Sequence, residues 1–506
     1  MIFFPIRILL FTLVFYEFTE GARVKKVLSI MFENHSFANM LGLSNVTKRG
    51  VNATSPSCNT QSLTQRVYCA SNRGAFSDPD PDHSVDGTTK QLYGSETPPH
   101  PNDFSTVTLG GFVDSYTSAQ GSTAGPTIMD CFDPSHVPIV SALAQSFTLV
   151  DTYFAGVPGP TLPNRLFYLS ATSHGFGDNS DVEVVVGWPQ RSIFGALDSA
   201  NRTWRVYFSD VPSALTLGDT RGGLLEGKFK LIDDFAKDVA LGDLPDFTFI
   251  EPGYFDLPGF PASDQHPAHD VRDGEKLLKG VYEGLRASPL WNESVLLVTW
   301  DEHGGFYDSM PPPVTGIPSP DGLPCNSGCK HPEAFNFTRL GVRVPMLVVS
   351  PWATASVAPL APTGSHYEHS SLSATLRQVF PDAFPTPLTA RAAAAAPLTF
   401  LWENSPINAP RTDTPPTLPP VPNQVTPSMM GLSREGTGPP NDLQRSLLLL
   451  AEATAQYLEG VETEADPLQG IFEALQERGA LNSEASAGQY AKARLSSFFS
   501  AATSTG

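Results

Sequence analysis

Short, mostly apolar runs separated by amphipathic stretches govern what this chain can fold into. KVLSIMF ends at Phe32, SFTLVDTYF begins at Ser146, DFTFIEP at Asp246, SVLLVTW at Ser294 and PMLVVSPW at Pro345. Each is rich in residues that favour strands. Between them lie stretches such as DGEKLLKGVYEGLRAS, in which Leu277, Leu278, Val281 and Leu285 fall on one helical face. This alternation predicts an α/β fold, a mostly parallel sheet with helices on both faces. The body so defined runs over residues 23–390.

The ends of the chain differ from that body. Residues 1–22, MIFFPIRILLFTLVFYEFTEGA, combine Arg7, an apolar stretch and the small residues Gly21 and Ala22, the pattern of a secretory signal peptide. An uncleaved membrane anchor is the competing reading, near the short limit for a span. Residues 391–440 hold too much Ala and Pro for a regular element and predict a linker or extended surface arm. Residues 441–506 predict a helical C-terminal region, capped by Asn441 or Asp442, stopped at Gly460 and carrying no visible chemistry.

Export fits two further features. Sequons stand at Asn45, Asn52, Asn201, Asn292 and Asn336. In an oxidising compartment Cys58 can pair with Cys69 and Cys325 with Cys329, leaving Cys131 unpaired in the interior; a metal clip at CNSGC is the weaker alternative. Lys and Arg number 32 against 52 Asp and Glu, a formal charge of −20. That excludes a phosphate-backbone partner such as nucleic acid, and docking on anionic membranes through a basic patch, but leaves a neutral lipid surface open.

Chemistry concentrates where strands end. Glu33-Asn34-His35 follows the first run, Thr161 and Pro163-Asn164-Arg165 follow a Gly/Pro turn and open a helix, and Asp301-Glu302-His303 follows SVLLVTW. Ligand sites in open α/β sheets lie beyond the carboxyl ends of the strands. Glu33, Asn34, Asp301 and Glu302 offer hard oxygen ligands for one divalent cation. Thr161 places a hydroxyl at a helix N-terminus that suits an anion, an arrangement that can activate a nucleophile. Read singly, Thr161 is a helix cap and the acidic pairs are polar turns; their joint occurrence at strand ends favours a site. His83, His266, His269 and His369 add groups able to contact phosphate or protonate a leaving group.

The segments ENHSFANMLG, GPTLPNRLFYLSATSHG, HPAHDVRDGEKLLKGVYEGLRASPLWNESVLLVTWDEHGGFYD and RLGVRVPMLVVSPW resemble the phosphoesterase family, and most nearly its plant-type non-specific phospholipases C. The resemblance spans roughly Val24 to Phe380. It implies an alkaline-phosphatase-like fold and cleavage of phosphate esters, with phospholipid as substrate or, as the alternative, soluble monoesters as for an acid phosphatase. A degenerate lipid-binding relative is a third reading. The resemblance further implies Thr161 as nucleophile, Glu33, Asn34, Asp301 and Glu302 around a metal whose requirement stays open, catalytic His83, His269 and His303, and Asn164, Arg165, His266 and His369 at the substrate. Ala38, His35 and Leu162 depart from residues common in relatives. Those departures bear on leaving-group preference.

Overall fold

The computed structural model describes residues 23–503 except 48, 52–56, 75–79, 97–106, 121–125, 258, 333–334, 423–438 and 460–466. The signal-peptide reading, the Asn52 sequon and the Gly460 stop lie outside the described residues.

The apolar runs form strands β1 (Lys26–Phe32), β2 (Thr148–Leu149), β3 (Trp204–Phe208), β4 (Phe229–Leu231), β5 (Phe247–Ile250), β6 (Ser294–Trp300), β7 (Met346–Val349) and β8 (Ser356–Val357). They make one eight-stranded sheet in the order β8-β2-β7-β6-β1-β5-β3-β4. Every pairing is parallel except those of β7, which runs antiparallel to β6 and β2. Every residue of β6 and all but the first of β1 are buried, so both faces of the sheet are covered. The mostly parallel α/β fold expected from the sequence is present.

The helices used below are α1 (Val85–Tyr93), α2 (Pro138–Ser146), α3 (Thr161–Ser170), α4 (Asp181–Val186), α5 (Ile232–Leu241), α6 (Val271–Ala287), α7 (Asp442–Glu459), α8 (Pro467–Glu477) and α9 (Glu484–Thr503). Helices α2 and α5 pack on α6. Helix α6 buries Leu278, Val281 and Leu285, while Leu277 sits at the edge of the core. Glu275 of α6 caps α2 by accepting from the amides of Ile139 and Val140. Burial is the larger influence on that carboxyl and pushes it up to about 8.

Residues 391–440 correct the expectation of a linker in their first part. Arg391 and Trp402 are fully buried, and Arg391 donates to the carbonyls of Pro318, Gly156 and Phe337. A guanidinium so enclosed ties its segment to the body. Beyond it the chain lies along α6 as an extended arm: Lys279 donates to the Leu418 carbonyl at 2.6 Å and Tyr282 to that of Pro415 at 2.6 Å. The C-terminal helices share the main core through Leu447, Leu448 and Leu475. Asn441 caps α7 reciprocally with Gln444, at 2.7 and 2.9 Å.

Both expected disulfides are present, and Cys131 is a buried free thiol. The sequon asparagines Asn45, Asn201, Asn292 and Asn336 are exposed. Among the described residues no helix is long and apolar enough to cross a membrane.

Candidate active site

Strand register assembles the acidic residues. Phe32 of β1 pairs with Trp300 of β6, so Glu33 and Asp301 leave the sheet side by side. Ile30 pairs with Ile250 of β5, which brings Glu251 to the same edge. Glu33, Asn34, Asp301 and Glu302 are fully buried. The amides of Asn34 and Glu302 both donate to Asp301 Oδ1, at 3.1 and 2.7 Å. Asn34 holds φ at +57°, a left-handed backbone that an asparagine adopts at a cost. Gly304 and Gly305 have φ of +62° and +70°. A Cβ on Gly304 would lie 2.1 Å from the Asn34 carbonyl oxygen, so these glycines let the two strand-end loops touch.

Helix α3 completes the site. Thr161 is buried at its first turn, and among the described residues its hydroxyl makes no hydrogen bond. Asn164 fastens the preceding turn: its Oδ1 accepts from Val157 N at 3.0 Å, and its Nδ2 donates to the carbonyls of Gly159 and Pro160 at 2.8 and 3.1 Å. One turn beyond Thr161, the buried Arg165 guanidinium donates to Asp301 Oδ2 at 3.1 Å, Glu33 Oε1 at 3.2 Å and the Tyr254 hydroxyl at 2.7 Å. Glu251 lies 3.8 Å from it. All three strand-end clusters are thereby joined through one cation.

This geometry redefines several sequence-predicted roles. Arg165 and Asn164, expected at the substrate, have their polar atoms engaged within the protein. His369 meets the Asp301 carbonyl through Nε2 and the Tyr153 hydroxyl through Nδ1. Burial pulls it down to about 4, so it is neutral. His303 meets Gln91 Oε1 through Nε2 at 2.7 Å and faces Glu302 through Nδ1 at 3.3 Å. Its ring is occupied on both sides, behind Glu302. His269 lies between Asp264, 2.6 Å from Nδ1, and Glu484, 3.1 Å from Nε2. Glu484 belongs to the C-terminal region, which therefore reaches the site's surroundings, contrary to the expectation that it carries no chemistry.

His83 and His266 are each held on one side of the ring. Each donates Nδ1–H to a carbonyl at 2.8 Å, of Pro81 and Pro267 respectively, and His266 turns its Nε2 towards Asp80. Asp80 Oδ2 stands 3.6 Å from His266 Nε2 and 3.8 Å from His83 Nδ1. Burial pulls the His83 pKa down, but the carboxylates of Glu302 and Asp80 outweigh it and raise it to about 9. Burial likewise pushes Glu302 up, but His83 and His303 hold it below its ordinary value. Glu33 and Asp301 are raised by burial against the pull of Arg165, Asp301 to about 7. A cavity of about 720 Å³, lined by His83, Pro160, Asp80, Asp178, Asp181 and Asp442, opens beside the start of α3.

The metal expectation can be tested atom by atom. Glu33 Oε2, Asn34 Oδ1 and Glu302 Oε1 are buried and without a partner, and they fit a cation. Asp301 does not fit as well, because Arg165 and two amides take both of its oxygens. Among the described residues, the His, Cys, Asp or Glu group whose ligand atoms lie within 4.8 Å of one another is a different one, Asp256, His269 and Glu484.

Sequence reasoning missed Asp80, Glu251, Tyr254, Asp264, Gln265 and Glu484. Glu251 carried the same signal as Glu33, an acid at a strand end. Gln265 and Ala268 hold φ at +70° and +82°, and Gln265 braces the loop by bonds with Trp300, Val271 and His35. No sequence pattern marks those contacts.

Likeness to known proteins gives the family of the chain. The profile of the phosphoesterase family matches residues 24–381. Non-specific phospholipase C6 of Arabidopsis thaliana is 42% identical over 407 residues, covering 79% of this chain and 75% of its own. Non-specific phospholipase C4 of the same plant is 37% identical over 396 residues, covering 72% and 70%. Phospholipase C B of Mycobacterium tuberculosis is 29% identical over 274 residues, covering 47% and 50%. A solved alkaline phosphatase superfamily protein of Vibrio parahaemolyticus aligns with a TM-score of 0.30 and 11% identity over 52% of this chain and 64% of that one. The chain belongs to the phosphoesterase family and is a phosphoesterase of the non-specific phospholipase C type.

Proposed function

We propose that this phosphoesterase is a phospholipase C that cleaves glycerophospholipids to diacylglycerol and a phosphorylated headgroup. The observation that carries the reading is the unpartnered Thr161 hydroxyl, buried at the N-terminus of α3, one turn from the arginine that gathers Glu33 and Asp301. Thr161 loses its hydroxyl proton to water, attacks phosphorus and displaces the diacylglycerol alkoxide, giving a phospho-threonine; water then attacks phosphorus, the Thr161 oxygen leaves and regains a proton, and the phosphorylated headgroup departs. The Thr161 amide, with the positive end of the α3 dipole, and the unpartnered Asn34 side chain face the phosphoryl oxygens; the Leu162 amide is taken by Asn179 Oδ1 and Pro163 has none. His83, protonated at neutral pH, gives its Nε2 proton to the departing alkoxide. His303 and His369 act as positioning residues behind Glu302 and Asp301. A divalent ion held by Glu33, Asn34 and Glu302, if one binds, would supply Lewis-acid polarisation of a phosphoryl oxygen.

The two disulfides and the N-terminal apolar segment support action outside the cytosol, in secretion or the endomembrane lumen. The net charge of −20 opposes docking on anionic membranes and leaves a neutral lipid surface open. Thr161→Ala tests the mechanism: headgroup release from phosphatidylcholine micelles disappears while circular dichroism and melting are unchanged. A turning-over Thr161→Ala protein refutes it. Faster hydrolysis of a small aryl phosphate than of the lipid would refute the substrate class.

A further inference from the structure

A second cluster lies where the C-terminal helices meet the body. Asp256 stands in the loop after β5, His269 just before α6, and Glu484 opens α9. Their ligand atoms lie within 4.8 Å of one another. His269 Nε2 is 3.1 Å from Glu484 Oε1, a spacing that two ligands of one ion can hold. On the other side of the ring, Nδ1 donates to Asp264 Oδ1 at 2.6 Å. A carboxylate behind a histidine fixes the tautomer and aims Nε2, the second-layer arrangement of protein metal centres. The other oxygen, Asp264 Oδ2, is buried without a partner. The acids are themselves oriented: Asp256 N donates to Glu484 Oε1 at 2.6 Å, and Asp256 Oδ1 accepts from Ala262 N at 2.8 Å. Asp256 is half-buried, which leaves a way in from solvent.

We propose that Asp256, His269 and Glu484 bind one divalent transition metal ion of the zinc class. One imidazole with two carboxylates matches zinc and its neighbours, whereas calcium and magnesium favour all-oxygen shells. The ion fastens α9 to the loop that carries His266 and His269. It is separate from the set Glu33, Asn34 and Glu302, and it does not depend on the reaction proposed above.

The full chain, stripped with chelator and given one equivalent of zinc chloride, is passed through gel filtration, then analysed for metal and melted. The native protein retains the zinc and melts higher than its stripped form. Asp256→Asn and Glu484→Gln lose both effects, Asp264→Asn binds roughly 10–100-fold more weakly, and Glu33→Gln retains the metal. Asp256 is half-buried and outside the helices, so Asp256→Asn keeps the test valid if Glu484→Gln loosens them. Failure of the native chain to retain zinc overturns the proposal, with His269 then an imidazolium between Asp264 and Glu484. Retention by Asp256→Asn with loss in Glu33→Gln also overturns it, because the ion then belongs to the phosphate site. Either result leaves the Thr161 mechanism untouched.

Discussion

Arg165→Met removes the cation at the centre of the site and keeps much of its volume. Arg165 is 2% exposed and faces Asp301, Glu33 and Glu251 at 3.1, 3.2 and 3.8 Å. Removing one partner from a buried charge cluster costs about 3–5 kcal/mol, because the remaining charges stay buried without compensation. Burial already raises Glu33 and Asp301, and Arg165 is the strongest influence opposing it. Without the guanidinium both carboxyls stay protonated in the folded state to higher pH. Above the ordinary carboxyl range the unfolded chain has released those protons, so the folded variant binds more protons than the unfolded one. Its unfolding free energy therefore falls as pH rises, by about 1.4 kcal/mol per pH unit for each such carboxyl. Urea unfolding of native and variant protein at about pH 6 and about pH 8, followed by tryptophan fluorescence, reads both effects. A loss below about 1 kcal/mol, or an equal loss at both pH values, would refute the view that Arg165 is the counter-ion of this site.

Gly304→Ala forces a side chain into φ +62° and against the Asn34 carbonyl; melting should show a loss of at least about 2 kcal/mol together with lost turnover. Asn164→Ala leaves the amide of Val157 and the carbonyls of Gly159 and Pro160 without their side-chain partner; a cost of about 1–3 kcal/mol should accompany a fall in kcat with little change in KM. His83 is raised to about 9 by Glu302 and Asp80 against burial, so the proton it gives is present at neutral pH and is lost as pH rises through that value. The native pH–rate profile should fall on that alkaline side, and His83→Asn should abolish the limb and lower kcat by about 10²–10⁴-fold.

The sequence by itself determined the strand runs, the helix α6, the cysteine pairs, the strand-end positions of Glu33 and Asp301 and the helix start at Thr161, because each is set by local pattern. A parallel sheet delivers its strand ends to one edge, so those residues also announced the site. Tertiary structure alone decided what each side chain does there. Arg165 sits on α3 one turn beyond Thr161 yet turns inward to three carboxylates. His303 and His369 carry the right chemistry but have both nitrogens engaged by Gln91, Glu302, Tyr153 and Asp301. Glu484 reaches His269 across 215 positions of sequence, from a region that looked inert. Local pattern fixes where a residue leaves the backbone; the partners that fill its hydrogen bonds, set its charge and leave it free or engaged come from distant segments that only the packed chain brings together.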